Sequence, residues 1–334
     1  MSSGVDSCVT PMRLCAWVKS LALVIFLGLG LTSAQAAPWP EKPIKLVVPY
    51  PAGGLTDIVS RLVGEEVGKI LGTAVVVENK AGAGGQIGLQ AMLQSPKDGY
   101  TVALVVPATM ITLPLTNPDY KIQPLEQLEP LTIAVDTFLV LVVDSRLGVT
   151  NLKEFVNYAK KNPGQLNYGI PGAGTSFHFN NVLMTQKLGI ETRYVPYKGE
   201  GQILSDIAAG ALQYALVSNT GKAFVDAGQV TALGVTSDRR VNSMPQVPTF
   251  KESGVDFTTD GWVGYVVAKG TPKPIVSRLN TAFVQALNAP SLKQKFQDMG
   301  YRVVGGSPEH FVAEVQKGSK KFGDLLRSGA IKLE

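Results

Sequence analysis

Short apolar runs alternate along this chain with stretches in which apolar residues recur every three or four positions. Ile44 to Tyr50 is a continuous apolar run, as in a strand buried on both faces. From Asp57 to Leu71, Ile58, Leu62, Val63, Val67 and Ile70 fall at helical spacing, and Gly72 ends the pattern. "AVVVEN" reads as a second strand, Gln86 to Gln94 as a helix, "PKDGY" as a turn and "TVALVV" as a third strand. This β-α-β-α-β order predicts parallel strands joined by right-handed crossovers.

Five prolines between Pro107 and Pro130 break the rhythm. It resumes with a strand at Phe138 to Asp144 and a helix from about Leu152. Strand "LNYGI", a helix through Leu188, strand "TRYVPY" and a helix from Gln202 to Gly210 follow. Strand "LQYALV", a helix to Gly228 and strand "VTALGVT" complete a second α/β unit. "WVGYVVAKG" is a further strand, and helices run from there through Leu326. About 300 residues exceed the usual reach of one hydrophobic core, so two lobes are expected. The carboxy-terminal helices are expected to return to the first unit, with the apolar runs near 138–143 and 262–268 crossing between lobes as hinges. The expected boundaries are 37–138 plus 262–334 for one lobe and 139–261 for the other.

Four strand-to-helix junctions carry small, flexible residues. They are Pro51-Ala52-Gly53-Gly54, Ala81-Gly82-Ala83-Gly84-Gly85, Gly172-Ala173-Gly174-Thr175-Ser176 and Lys198-Gly199-Glu200-Gly201. In an open α/β sheet such junctions lie at the carboxyl ends of the strands, where ligands bind. The first N–H groups of a helix lack internal partners and sit at the positive end of its dipole. Glycine lets a ligand oxygen reach them. The opening loop, with Thr56 behind it and Asp57 expected to cap the helix, therefore reads as an anion cradle. Thr175 and Ser176 add hydroxyls. Each loop also has a plain reading as a turn.

The amino terminus modifies the picture. Leu21 to Leu31 is almost wholly apolar, Arg13 and Lys19 precede it, and Ala34-Gln35-Ala36 follows. This is the pattern of a cleaved secretory signal peptide at residues 1–36, with either Met1 or Met12 as the start. Its loss takes Arg13, Lys19 and Asp6, one net positive charge, leaving +4 of the formal +5. Acids and bases are interspersed, with no basic stripe of the kind nucleic acid requires. Both cysteines, Cys8 and Cys15, leave with the signal, so no disulfide or thiol chemistry is expected. His178 and His310 alone do not make a zinc site. "GAGGQIG" misses the dinucleotide spacing at Ile87, and the phosphate-loop pattern is absent. No G-x-S-x-G motif occurs and no carboxylate pair stands out as acid and base. His178, near the start of a helix, reads as a ligand donor, a local cap or a filler of the lobe wall.

"WPEKPIKLVVPYPAGGLTDIVSRLV", "VVVENKAGAGGQIGLQAM", "PKDGYTVAL", "LNYGIPGAGTSFHF", "VPYKGEGQILSDIAAG" and "ALGVTSDRR…MPQVPTFKESG" resemble, in order and spacing, the substrate-binding proteins of the tripartite tricarboxylate transporters, the Bug family. The resemblance spans essentially the whole chain after the signal. It implies a type II periplasmic binding protein fold in the α/β class, with two lobes joined by hinge strands around a ligand cleft. It implies a periplasmic receptor without catalysis or cofactor. Such a receptor holds a small carboxylate, a di- or tricarboxylate or an aromatic acid, and delivers it as a monomer to a two-component membrane permease. Two readings stay beside it: an exported hydrolase-like enzyme using the same cleft, and a binding protein that feeds a sensor.

By the resemblance, Tyr50, Ala52, Gly53, Gly54, Leu55, Thr56 and Asp57 form the first binding loop, and Gly82, Ala83, Gly84 and Gly85 the second. Gly174, Thr175, Ser176 and His178 are the second lobe's contribution, and Lys198 a supporting charge. Three departures stand out. Leu55 follows the glycine pair where relatives carry a small residue or proline. Ala108 and Thr109, in "VVPATM", replace a glycine-containing loop. Ser218 and Asn219 stand where relatives carry an aspartate. These changes predict a pocket more apolar on one side and lacking a negative charge on the other, hence an apolar-bodied or doubly acidic ligand without an ammonium group. Tyr50, Phe177 and Trp262 are candidate walls, each weighed against plain core packing.

Overall fold

The computed structural model describes residues 1–5, 39–259 and 261–329. The apolar signal segment, its cleavage site and both cysteines lie outside them. The chain forms two compact units, residues 1–41 and 42–334, and the described strands and helices all belong to the second.

The first β-α-β-α-β stretch folds as its periodicity dictates. Strand β1 (Ile44–Val48) leads to helix α1 (Leu55–Leu71), β2 (Val75–Asn79), α2 (Gln86–Leu93) and β3 (Thr101–Val105). Strand β1 is buried except at Lys45, and it pairs in parallel with β2 on one side and β3 on the other. Helix α1 ends at Gly72, whose left-handed φ of 69° closes the last turn.

Past β3 the chain makes a π-helical turn, Ala108–Thr112, buried throughout. Strand β4 (Leu128–Thr137) then emerges from the proline-rich stretch expected to be irregular. Its Pro130 sits at a register shift in the ladder with β10 (Gly261–Ala268). A proline cannot donate to a ladder, and a bulge removes the need. The larger sheet has the order β11-β4-β10-β3-β1-β2. Strands β1 to β3 are parallel, as their β-α-β-α-β order predicts, while β10 and β11 (Arg302–Gly305) run antiparallel to their neighbours, so the sheet as a whole is mixed.

The smaller sheet has the order β7-β6-β8-β5-β9. Its strands are β5 (Val140–Asp144), β6 (Leu166–Ile170), β7 (Thr192–Pro196), β8 (Tyr214–Val217) and β9 (Val230–Val235). Helices α3 (Leu152–Lys161), α4 (Ser176–Leu188), α5 (Glu200–Ala209) and α6 (Lys222–Asp226) connect them. Helices α7 (Lys273–Asn288), α8 (Pro290–Asp298) and α9 (Pro308–Arg327) come last. As expected, α7 and α9 return to the larger sheet. Helix α9 also meets the other half: Phe322 stacks edge-on against Phe179 of α4, ring centroids 5.3 Å apart.

The crossings between sheets are shorter than expected. Strands β4 and β5 form one extended run broken only at Phe138 and Leu139, and β10 lies wholly in the larger sheet. The return crossing therefore falls between β9 and β10. The two crossings are tied together. The Leu139 N–H donates to the Thr236 hydroxyl at 2.8 Å, and that hydroxyl lies 2.7 Å from the Thr259 hydroxyl. Among the described residues, no helix is long and apolar enough to cross a membrane.

Candidate functional site

The carboxyl ends of β1, β2 and β3 carry the loops at 49–54, 80–85 and 106–112. Those of β6, β7 and β8 carry 171–175, 197–199 and 218–221. Just past the 106–112 loop, the Thr116 hydroxyl donates to the Thr112 carbonyl at 2.8 Å and lies 3.4 Å from the Gly174 carbonyl of the other half. A Cβ on Gly174 would come within 2.9 Å of that Thr116 oxygen, and its φ is +72°. Only glycine suits such a contact.

Three helices that start at these loops have no side-chain cap. Gly54, Gly85 and Gly199 occupy the cap positions of α1, α2 and α5, and none supplies an acceptor to the first turn. In α1 and α5 the leading N–H groups have no side-chain acceptor, whereas in α2 the first of them, on Gln86, already donates to the Ala83 carbonyl and only those behind it lack a side-chain cap. Asp57 does not cap α1 as expected, because Gly54 holds that position. Its carboxylate instead accepts the Gly53 N–H at 2.9 Å and the Arg61 Nε–H at 3.0 Å. Arg61 reaches on to Asn79, whose amide donates to the Tyr50 carbonyl at 3.1 Å. Burial works to raise the Asp57 pKa. The hydrogen bonds from Arg61, Gly53 and Asn79, with the Arg61 charge, outweigh it and hold the group below the usual carboxylate range. Asp57 is thus the buried anchor of the first loop, and Gly53 has given its N–H to that anchor.

The second loop is bent sharply. Gly82, Ala83, Gly84 and Gly85 all have positive φ, Ala83 at +46°. Gly85 is pressed between elements: a Cβ there would meet the Thr109 methyl at 2.8 Å and the Tyr50 hydroxyl at 3.3 Å. That hydroxyl reaches the Gly84 carbonyl at 3.5 Å, linking the first two loops. Thr109 does not reach the open side. It is fully buried, and its hydroxyl both accepts the Val106 N–H and donates to the Val106 carbonyl. Ala108 is also buried.

In the smaller half, Thr175 caps α4. Its hydroxyl donates to the Gly172 carbonyl at 2.8 Å and faces the His178 N–H, so both of its capacities are spent. Ser176 remains half-exposed. His178 is 2 % exposed, and its Nδ1 accepts the Gly174 N–H at 3.2 Å. That bond leaves the ring proton on Nε2. Burial pushes the imidazole pKa down, and the ring packs on Tyr194. His178 therefore braces the 172–175 loop. Lys198 is exposed. Of the candidate walls, Trp262 is core, edge-on against Phe311. Phe177 is half-buried against the smaller core.

One residue escaped the sequence reading. Glu200, in the first turn of α5, turns its Oε2 onto the β8 loop. It accepts there from the Ser218 Oγ at 2.6 Å, the Ser218 N–H at 3.2 Å and the Thr220 hydroxyl. The aspartate missing at Ser218 is therefore replaced by a carboxylate arriving from another loop. A carboxylate thus stands beside Ser218, where the sequence led none to be expected. An acid directly after Lys198-Gly199 at a helix start was the available signal. Asn219 is turned outward from this group: its side chain accepts from the Ser243 hydroxyl, and its main chain hydrogen-bonds the buried Tyr301 hydroxyl.

Comparison with known proteins agrees with this architecture. Residues 59–331 match the model of the tripartite tricarboxylate transporter family receptor. A Cupriavidus necator protein encoded in a gbd 5′ region is 33% identical over 306 residues, covering 90% of this chain and 93% of its own. The solved periplasmic binding protein BugD superposes with a TM-score of 0.80 at 31% identity, over 88% of this chain and 99% of its own. An R. palustris protein solved with adipate superposes at 0.82 with 29% identity, over 86% and 97%. The fold is the type II periplasmic binding protein fold, two α/β lobes with a ligand cleft between them. Three uncapped helix starts at glycine loops, on a scaffold matched along nearly its whole length, make this chain a member of the tripartite tricarboxylate transporter receptor family, of the Bug type.

Proposed function

We propose that this protein captures a small organic carboxylate in the periplasm and delivers it to a two-component membrane permease. The observation that carries this is the set of helices α1, α2 and α5, which begin at glycines with no side chain capping their first turns. A carboxylate oxygen satisfies such N–H groups and the positive end of the dipole together. The adipate held by a structural neighbour of 29% identity supports the ligand class. Residues 37–138 with 262–334 act as one lobe and 139–261 as the other, pivoting at the Leu139–Thr236 tie. The segment 1–36 directs export and is removed.

Gly54 and Leu55 offer main-chain donors from the first loop and Thr56 adds its hydroxyl, with Ala52 at its tip. Gly82 to Gly85 shape the second. Ser176 and Lys198 serve the opposite wall. A thermal-shift panel of mono-, di- and tricarboxylic acids tests this reading. A true ligand at a hundred times its dissociation constant stabilises by about 2.7 kcal/mol, which raises the melting temperature by a few degrees. Thr56→Val should weaken the best hit. A panel in which no organic acid moves the transition would overturn the proposal.

A further inference from the structure

The Glu200 carboxylate, in the first turn of α5, is held on the loop at the carboxyl end of β8, and two of its features matter together. Its Oε2 is saturated by three donors from the β8 loop. Its Oε1 has no hydrogen-bond partner among the described residues, and the side chain is half-buried. A carboxylate anchored through one oxygen offers the other in a fixed direction. Burial raises the Glu200 pKa against the opposing hydrogen bonds of Ser218 and Thr220. The α5 dipole and three donors on one oxygen are the contacts an ionised carboxylate makes. Tyr301 lies close enough to interact with it, and its buried phenol is neutral at any physiological pH.

We infer that Glu200 is a specificity-determining residue of the binding site, whose outward oxygen accepts a hydrogen bond from a hydroxyl or ammonium group carried on the solute's carbon chain. This rests on the carboxylate-receptor reading and adds the substituent. The uncapped helix starts take the solute's carboxylate, and Glu200 takes a donor some atoms away. The preferred class is then hydroxy- or amino-substituted carboxylic acids. An unsubstituted acid leaves the Glu200 oxygen facing only carbon, and a buried charged acceptor without a donor is costly.

Titration calorimetry on the mature protein with matched acids of three to six carbons tests this. Each set holds the unsubstituted, 2-hydroxy and 2-amino forms of a monoacid and a diacid. The wild type should bind one substituted form about ten- to a hundred-fold more tightly than its unsubstituted parent, the value of one hydrogen bond to a charged group. The hydroxy and amino arms identify which donor is read. Glu200→Gln keeps an oxygen for Ser218 and Thr220 but can turn an N–H₂ into the cleft. It should reduce the preference below about three-fold. Far-ultraviolet circular dichroism and the unliganded melting temperature establish that the variant is folded, and Thr220→Val, which loosens the anchor without removing the charge, should reduce the preference partially. Acids that bind without regard to the substituent, or a preference that survives Glu200→Gln, would overturn this inference and leave the receptor reading standing. Binding of no carboxylic acid would overturn both.

Discussion

The carboxylate of Asp57 accepts the main-chain N–H of Gly53 at 2.9 Å, fixing the first loop from within. Arg61 closes the same group from the other side with a 2.9 Å ion pair. Replacing Asp57 by Ala leaves a loop amide and a guanidinium without their partner. The expected cost is about 1–3 kcal/mol of stability, with ligand affinity falling as well. Urea denaturation and calorimetry check both. The Asp57 pKa is held below that of the unfolded chain, so its contribution is full above the unfolded value and is lost as pH falls through the folded value. Wild type and Asp57→Asn should therefore converge in stability as the solution is acidified below about pH 4.

His178 makes a second pH prediction with a different window. Its folded pKa is depressed by burial, so the unfolded chain takes up a proton first as pH falls. Stability should be unaffected above about pH 6.5 and should drop below it. Asn at this position retains an acceptor for the Gly174 N–H but cannot titrate. The melting temperature of His178→Asn should lose this component of its slope between pH 7.5 and 5.

The second loop tests backbone geometry. Ala83 has a φ of +46°, a region costing an L-residue roughly 1 kcal/mol. Ala83→Gly should be neutral or stabilising by up to about that amount. Gly85→Ala should do the opposite, because its φ is +103° and a new Cβ would stand 2.8 Å from the Thr109 methyl. A loss of about 1–3 kcal/mol is expected, together with weaker solute binding. Thermal melts and calorimetry on the two variants read these signs directly.

The tie between the crossings is the fourth test. Thr236 is fully buried and accepts the Leu139 N–H. Thr236→Val strands that amide and should cost about 1–3 kcal/mol in chemical denaturation. Thr236→Ser keeps the hydroxyl and should lose about 1 kcal/mol or less. Equal losses in both would mean that packing, not the hydrogen bond, matters there.

Most of the regular elements were legible because each declares itself locally. Continuous apolar runs made β1, β3 and β5, and helical spacing made α1. Strand β4 was hidden by Pro130, whose place in a ladder depends on a bulge opposite β10 that no local pattern reveals. Strand β11 is a short four-residue edge with little periodicity to show. The glycine loops were found as candidates, yet which of their polar groups face outward was not. Thr175 and Thr109 spend their hydroxyls on their own loops, and Asp57 spends its carboxylate on Gly53.

From the amino-acid order alone come the α/β alternation, the glycine-rich junctions and the family resemblance, since these depend on spacing along the chain. Only the tertiary structure decided which side chains are consumed as braces and which remain for a solute. It brought Glu200 from one loop onto Ser218 of another, filling a position that looked empty of charge. Hydrogen-bond satisfaction is a property of neighbours in space, and residues 18 apart in sequence become neighbours only when β7 and β8 lie in the same sheet.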